Sequence, residues 1–253
     1  MTASVLRLLS WNLNGLDTTR LDQRTEAACI EIVLGLPVAA AMRGKVGPPM
    51  PEVLCLQEVV RRTHVTHLRN HLRAAGFALY PENPRRDDGD YSLIAVRPPY
   101  RVVAATTVPF EYSPLGREWL EVEITDGTRS LRVLTAHMES LRSGSDPRVA
   151  QAGELEAALC RAGAPAVFLG DTNLRASETE RLAQEGFTAR DAFDLAGQPG
   201  AHRDTWWPEE SERGFRFDRA WLPPDSPLSV KGLKTRRRPK LSDHAALELT
   251  LRV

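Results

Sequence analysis

The sequence is short of cysteine, of net charge and of long apolar runs, and each shortage narrows what the chain can be. Its three cysteines, Cys29, Cys55 and Cys160, stand far apart. An odd number with no CxxC spacing argues against a disulfide framework and a cysteine-ligated structural zinc, and leaves reduced, mostly buried thiols. Lysine plus arginine and aspartate plus glutamate number 33 each, so no global field draws the chain to nucleic acid or membrane. Any basic footprint must be local. The most apolar stretch, residues 29–42, is broken by Glu31 and Pro37 and falls short of the roughly 20 apolar residues that span a bilayer. No leader pattern precedes the strand-like residues that begin at Val5. The expectation is a soluble intracellular protein, cytoplasmic (or nuclear in a eukaryote), without a membrane partner and monomeric.

What is present is a succession of short apolar or alternating runs. Those at 5–13, 53–57, 93–96, 102–108, 119–124, 131–136, 166–169, 217–222 and 246–251 read as strands. Helical spacing falls at 18–36, 62–75, 147–162 and 177–184, with Asp146 a candidate cap. The Gly- and Pro-rich segment 43–51 reads as a surface loop, too early in the chain to divide domains. The expected fold is a single α/β domain over 1–253, with two mostly antiparallel sheets flanked by helices.

The informative residues sit where these runs end. Leu8-Leu9-Ser10-Trp11 leads into Asn12-Leu13-Asn14-Gly15, Val53-Leu54-Cys55-Leu56 into Gln57-Glu58, and Val133-Leu134-Thr135-Ala136 into His137. Val167-Phe168-Leu169 leads into Gly170-Asp171-Thr172-Asn173, Phe215-Arg216-Phe217 into Asp218, and Ser242-Asp243-His244 opens the last strand. Singly, each has a bland explanation as turn former, helix cap or satisfied core histidine. Together they predict convergence, because strand ends on one edge of a sheet meet in space. Glu58, Asp171 and Asp243 brought together would repel one another without a cation. Oxygen ligands without thiolate favour Mg²⁺, with Mn²⁺ substituting, over Zn²⁺. Carboxylates, amides and imidazoles around such an ion suit attack of water on a phosphodiester.

The segments Ser10-Trp11-Asn12-Leu13-Asn14-Gly15, Leu56-Gln57-Glu58, Gly170-Asp171-Thr172-Asn173 and Ser242-Asp243-His244 resemble, in order and across nearly the whole chain, the endonuclease/exonuclease/phosphatase superfamily. His137-Met138-Glu139-Ser140-Leu141-Arg142, Asn173-Leu174-Arg175, Thr205-Trp206 and Arg216-Phe217-Asp218-Arg219 narrow the resemblance to its tyrosyl-DNA phosphodiesterase 2 branch. Asn14 departs from it, standing where that branch usually has an aspartate.

The resemblance implies a four-layered α/β sandwich and a set of roles. Glu58 would bind the metal directly, with Asn14 and Asp243 approaching it or holding its waters. Asp171, helped by Asn12, would orient and deprotonate the attacking water. Asn173, His137 and His244 would stabilise the charge on phosphate, and Asp218 would fix the His244 tautomer. Tyr91, Ser140, Arg142, Arg175 and Trp206 would line a groove for DNA 5′ ends carrying a tyrosyl or peptide adduct left by a topoisomerase-type protein. The same residues also fit a general nuclease acting at abasic sites, a phosphatase of phosphoinositides or sphingolipids, or a non-catalytic DNA-binding module. The basic run 234–240, just ahead of Ser242-Asp243-His244, is a candidate for DNA backbone contact through Arg236, Arg237 and Arg238.

Overall fold

The computed structural model describes residues 5–85, 87–208 and 211–253. Its strands are β1 (Val5–Asn12), β2 (Val53–Val60), β3 (Ala78–Tyr80), β4 (Asp90–Val96), β5 (Arg101–Pro109), β6 (Glu118–Thr125), β7 (Ser130–Ala136), β8 (Ala166–Asp171), β9 (Arg190–Asp191), β10 (Asp218–Leu222), β11 (Ser229–Arg236) and β12 (Ala246–Arg252). They form two six-stranded sheets, in the orders β11-β12-β1-β2-β4-β3 and β5-β6-β7-β8-β10-β9. Each sheet is antiparallel except for one central pair: β1 with β2, and β7 with β8.

A parallel pair needs a crossover long enough to carry the chain back. The helix Leu21–Leu34 supplies it in the first sheet and Ser145–Cys160 in the second. The first helix ends sooner than its apolar spacing predicts, because Gly35 takes a left-handed conformation at φ 68°. The second begins at Ser145, so Asp146 sits in its first turn and not at the cap, which is Gly144.

Strand alternation sorts the apolar residues into layers. Leu6, Leu8, Val53, Cys55, Ile94, Val122, Val133, Val167, Ala220 and Leu249 meet between the sheets. Leu9, Leu54, Leu56, Leu93 and Ala95 face outward under the helices that cover the first sheet. Leu134, Ala136, Phe168 and Trp221 do the same under those covering the second. The result is the expected four-layered sandwich. Gln57 is buried between the sheets, donating through Nε2 to Thr135 Oγ1 at 2.9 Å and Ser10 Oγ at 3.1 Å. It ties β2 to β7 directly beneath the strand ends that matter. Among the described residues no helix is long and apolar enough to cross a membrane. Cys29 and Cys55 are buried and Cys160 is exposed, all unpaired.

Candidate active site

The two parallel pairs deliver their carboxyl ends to one place. Asn12 closes β1, Asp171 closes β8, and His137 follows β7 and bridges to Asp171. Glu58 lies where a bulge interrupts the β2–β4 register between Leu56 and Val59, and it adopts a left-handed φ of 52°. The bulge re-aims its carboxylate out of the sheet and toward the cleft. Gly15 is required opposite it: a Cβ there would stand 2.0 Å from the Glu58 carbonyl oxygen. Gly170 meets the same limit, with Ala136 O at 2.4 Å, so β7 and β8 can approach closely beside the site.

Asn12 is fully buried and links the two carboxylates. Its Nδ2 donates to Asp171 Oδ2 at 2.9 Å and to Glu58 Oε1 at 3.1 Å, while its Oδ1 accepts the Asn14 N–H. Asp171 Oδ2 also lies 3.5 Å from His137 Nε2 and 3.7 Å from His244 Nε2. Its Oδ1 accepts the Asn173 N–H at 3.0 Å. Burial alone would raise the Asp171 carboxyl, but the His244 and His137 imidazoles beside it and the hydrogen bonds from Asn12 and Asn173 outweigh it, and the group is held below its usual range. His244 Nδ1 stands 2.8 Å from Asp218 Oδ2. Burial opposes charge on this imidazole, yet the Asp218 and Asp171 carboxylates prevail and push it up to about 10. Asp171, Asp218 and His244 form a buried cluster whose ligand atoms lie within 4.8 Å of one another, with the two carboxylates holding the imidazole in its charged form.

The loop carrying His244 is pinned to β1: Ser242 Oγ donates to Asn12 O at 2.7 Å, and Trp11 Nε1 donates to His244 O at 3.1 Å. Asp243 sits exposed at the mouth, where its Oδ2 accepts the Trp206 indole N–H at 2.8 Å. Trp206 stacks on Phe217 and tilts against Phe215, and the Arg175 guanidinium lies over the Phe217 ring. A cleft of about 2000 Å³ is lined by Glu58, His137, Ser140, Arg142, Asp171, Asn173, Arg175, Trp206, Asp243 and His244. Asn173 has a left-handed φ of 52°. Among the described residues its buried Nδ2 has no partner.

The structure corrects the groove at Tyr91. Tyr91 is buried on the outer face of β4 and its hydroxyl stands 2.7 Å from His64 Nδ1, so it belongs to the core under the helices. Its neighbour Asp90 points the other way, as strand alternation demands. Asp90 Oδ2 lies 3.3 Å, and Arg117 Nη1 3.1 Å, from His137 Nδ1. Burial works against ionised Asp90, but His137 and Arg117 bring its carboxyl down to about 2. The basic run is built into the fold. Residues 234–236 belong to β11, Arg236 pairs with Glu248, and Arg238 Nε lies 2.6 Å from Glu31 Oε2. Arg237 stacks over Trp207 at 4.2 Å. Arg236 and Arg238 are engaged by carboxylates within the protein.

Residue patterns also passed over a positioning hub. Arg148, fully buried in the helix Ser145–Cys160, forks onto Glu178 at 2.5 and 2.9 Å. Its Nη1 donates to the carbonyls of Glu139, Ser140 and Leu141. Glu178 in turn accepts the Arg175 N–H at 2.9 Å. One ion pair thus sets both loops that carry Ser140, Arg142 and Arg175. The single signal for it was an arginine in an otherwise small and apolar helical stripe.

The Endonuclease/Exonuclease/phosphatase family model matches residues 9–244. Tyrosyl-DNA phosphodiesterase 2 of Gallus gallus is 28% identical over 234 residues, covering 87% of this chain and 57% of the relative. The chain spans about half the length of the curated relatives it matches. Among solved structures, D. rerio tyrosyl-DNA phosphodiesterase 2 complexed with single strand DNA product superposes with a TM-score of 0.80 at 24% identity, covering 99% of this chain and 100% of that one. Truncated Caenorhabditis elegans tyrosyl-DNA phosphodiesterase 2 superposes at 0.73 with 27% identity, covering 98% of each.

Proposed function

The chain belongs to the Endonuclease/Exonuclease/phosphatase family, and on that premise we propose that it is a Mg²⁺-dependent phosphodiesterase that hydrolyses the 5′-phosphotyrosyl bond between DNA and a trapped protein. The observation that carries this reading is the Asn12 bridge between Glu58 and Asp171, with His137, His244 and the unpartnered Asn173 amide around it. The named relatives supply the tyrosyl-DNA substrate.

The residues fit a hard cation. Glu58 offers a carboxylate at the cleft, steadied by Asn12 and, at 3.3 Å, by the Leu16 N–H, and among the described residues no thiol lies on the cleft wall. Glu58 would hold the ion with Asn14 and Asp243 nearby, and Mn²⁺ would substitute. When bound, the ion withdraws charge from the phosphate and steadies the leaving oxygen. Asp171, ionised at neutral pH, orients a water and accepts its proton as the new bond to phosphorus forms. The Asn173 amide and the two imidazoles donate to the non-bridging oxygens, where negative charge gathers. The bond from phosphorus to the tyrosine oxygen breaks, leaving a 5′-phosphate on DNA. A phenol with a pKa of about 10 departs with little help from an acid, consistent with a site whose imidazolium is pinned by two carboxylates. Arg142 and Arg175 suit flanking phosphates, and Trp206 offers a face on which a base can stack.

The test compares a 5′-phosphotyrosyl oligonucleotide, an abasic duplex and a phosphoinositide as substrates with Mg²⁺. Release of a 5′-phosphate from the first, lost in Asp171→Asn, is the expected result. Turnover of either alternative with none on the tyrosyl end contradicts the substrate assignment.

A further inference from the structure

On the helical layer outside the first sheet, away from the cleft wall, two helices face each other with matched spacing. The helix Leu21–Leu34 presents Asp22 and Glu26, four residues apart and so on one face. The neighbouring helical stretch runs from Arg61–Thr63 through a π turn at His64–Leu68 into Arg69–Ala74, and presents His67 and His71. His67 Nε2 lies 3.3 Å from Asp22 Oδ1, and His71 Nε2 lies 4.0 Å from Glu26 Oε1. The ligand atoms of Glu26, His67 and His71 all fall within 4.8 Å of one another. The two imidazoles are nearly parallel, 14° apart, with centroids 6.4 Å from each other.

We infer that this cluster is a second metal site, built for a borderline divalent ion of the Zn²⁺ type and separate from the catalytic cation. Three observations carry the inference. The first is the ligand chemistry: two imidazoles with two carboxylates suit Zn²⁺, whereas the all-oxygen set at Glu58 suits Mg²⁺. The two sites would sort ions by ligand type. The second is reach. Zinc bonds of about 2.0–2.1 Å in a tetrahedron place neighbouring ligand atoms about 3.3 Å apart, the separation already present between His67 and Asp22. Glu26, His67 and His71 already lie within 4.8 Å of one another, and a small rotamer change at the half-buried Asp22 brings in the fourth ligand. The third is orientation. Arg62 pairs with Asp22 Oδ2, which turns Oδ1 toward His67, as an outer partner orients a metal-binding carboxylate. The π turn contains His67, and such turns recur where a displaced side chain is used. An ion here would clamp the helices that follow β1 and precede β3, both packed behind the sheet that carries Asn12 and Glu58.

Co²⁺ titration of chelator-treated protein tests the inference, because tetrahedral cobalt absorbs in the visible. Wild type and Glu58→Gln are expected to develop the same visible band, displaced by Zn²⁺ and untouched by excess Mg²⁺. His67→Asn with His71→Asn is expected to lose the band or to weaken Co²⁺ binding at least tenfold. Glu26→Gln, which leaves both imidazoles and the helix in place, is expected to weaken it less. A band that survives the histidine changes, or one that vanishes in Glu58→Gln, overturns the assignment. So does failure of folded wild type to bind Co²⁺ with any visible band.

Discussion

Asn173 joins two unusual features, a left-handed backbone and a buried amide with no partner among the described residues. An unmade hydrogen bond on a buried donor costs about 1–3 kcal/mol, a cost recovered only if something else fills the place, and the proposed occupant is a phosphate oxygen. Asn173→Ala is expected to lower kcat by about 10²–10³, with folding stability unchanged or improved; a kcat within threefold of wild type removes Asn173 from the account. His64 offers a residue-scale test of the fold. Burial, with Arg69 nearby, depresses its imidazole from 6.5 to about 4. A depressed folded-state value means that the unfolded chain binds the extra proton. Stability from neutral His64 is complete above pH 6.5 and is lost as pH falls toward 4. The loss approaches about 3 kcal/mol at 1.4 kcal/mol per unit. Urea midpoints from pH 7 to 4 should fall more steeply for wild type than for His64→Gln, which can keep the bond to Tyr91.

Elements place these residues, and here strand parity decides what the sequence reveals. Ends of β1, β2, β7 and β8 were legible because short apolar runs stop abruptly at polar residues. Asp90 and Tyr91 are adjacent, so a choice between them is a choice of sheet face; the pattern of β4 alone does not say which face meets the second sheet. Strand β11 was unreadable for another reason. It is an edge strand rich in Lys and Arg, the composition that keeps an edge from pairing with other chains, and it imitates a basic loop. The Arg148–Glu178 pair shows the same blindness to partners distant in sequence. Arg148→Met would leave Glu178 as an uncompensated buried charge, costing about 3–5 kcal/mol. The expected kinetic signature is a raised KM with a smaller change in kcat, since Ser140 and Arg175 lose their anchor. Replacing Glu178 with Leu in the same chain should recover much of the stability, seen as a restored urea midpoint, but not the KM.

Across the whole molecule the two sheets repeat one plan, an edge strand and its neighbour, a parallel central pair with a helical crossover, then two further strands. The plan is one of topology: no internal repeat is visible in the sequence, and the first sheet is closed by β11 and β12 from the far end of the chain. That plan explains why so many strand ends converge: each sheet brings the carboxyl ends of its parallel pair to the same cleft. Net charge is zero, so in the proposed function DNA is held by the arginines on the cleft wall. Arg142→Ala is expected to weaken oligonucleotide binding and to reduce the slope of log K against log salt by about 1. Replacing Arg236 and Arg238 should leave that slope unchanged, since Glu248 and Glu31 already engage them.

The most direct test of the central claim, that this strand-end constellation drives water onto phosphorus, is a single turnover of 5′-phosphotyrosyl oligonucleotide in ¹⁸O-water with Mg²⁺. The account predicts one ¹⁸O atom in the DNA 5′-phosphate and none in the released tyrosine, with incorporation abolished in Asp171→Asn. Label in the tyrosine oxygen, or full incorporation by the Asp171→Asn protein, would contradict it.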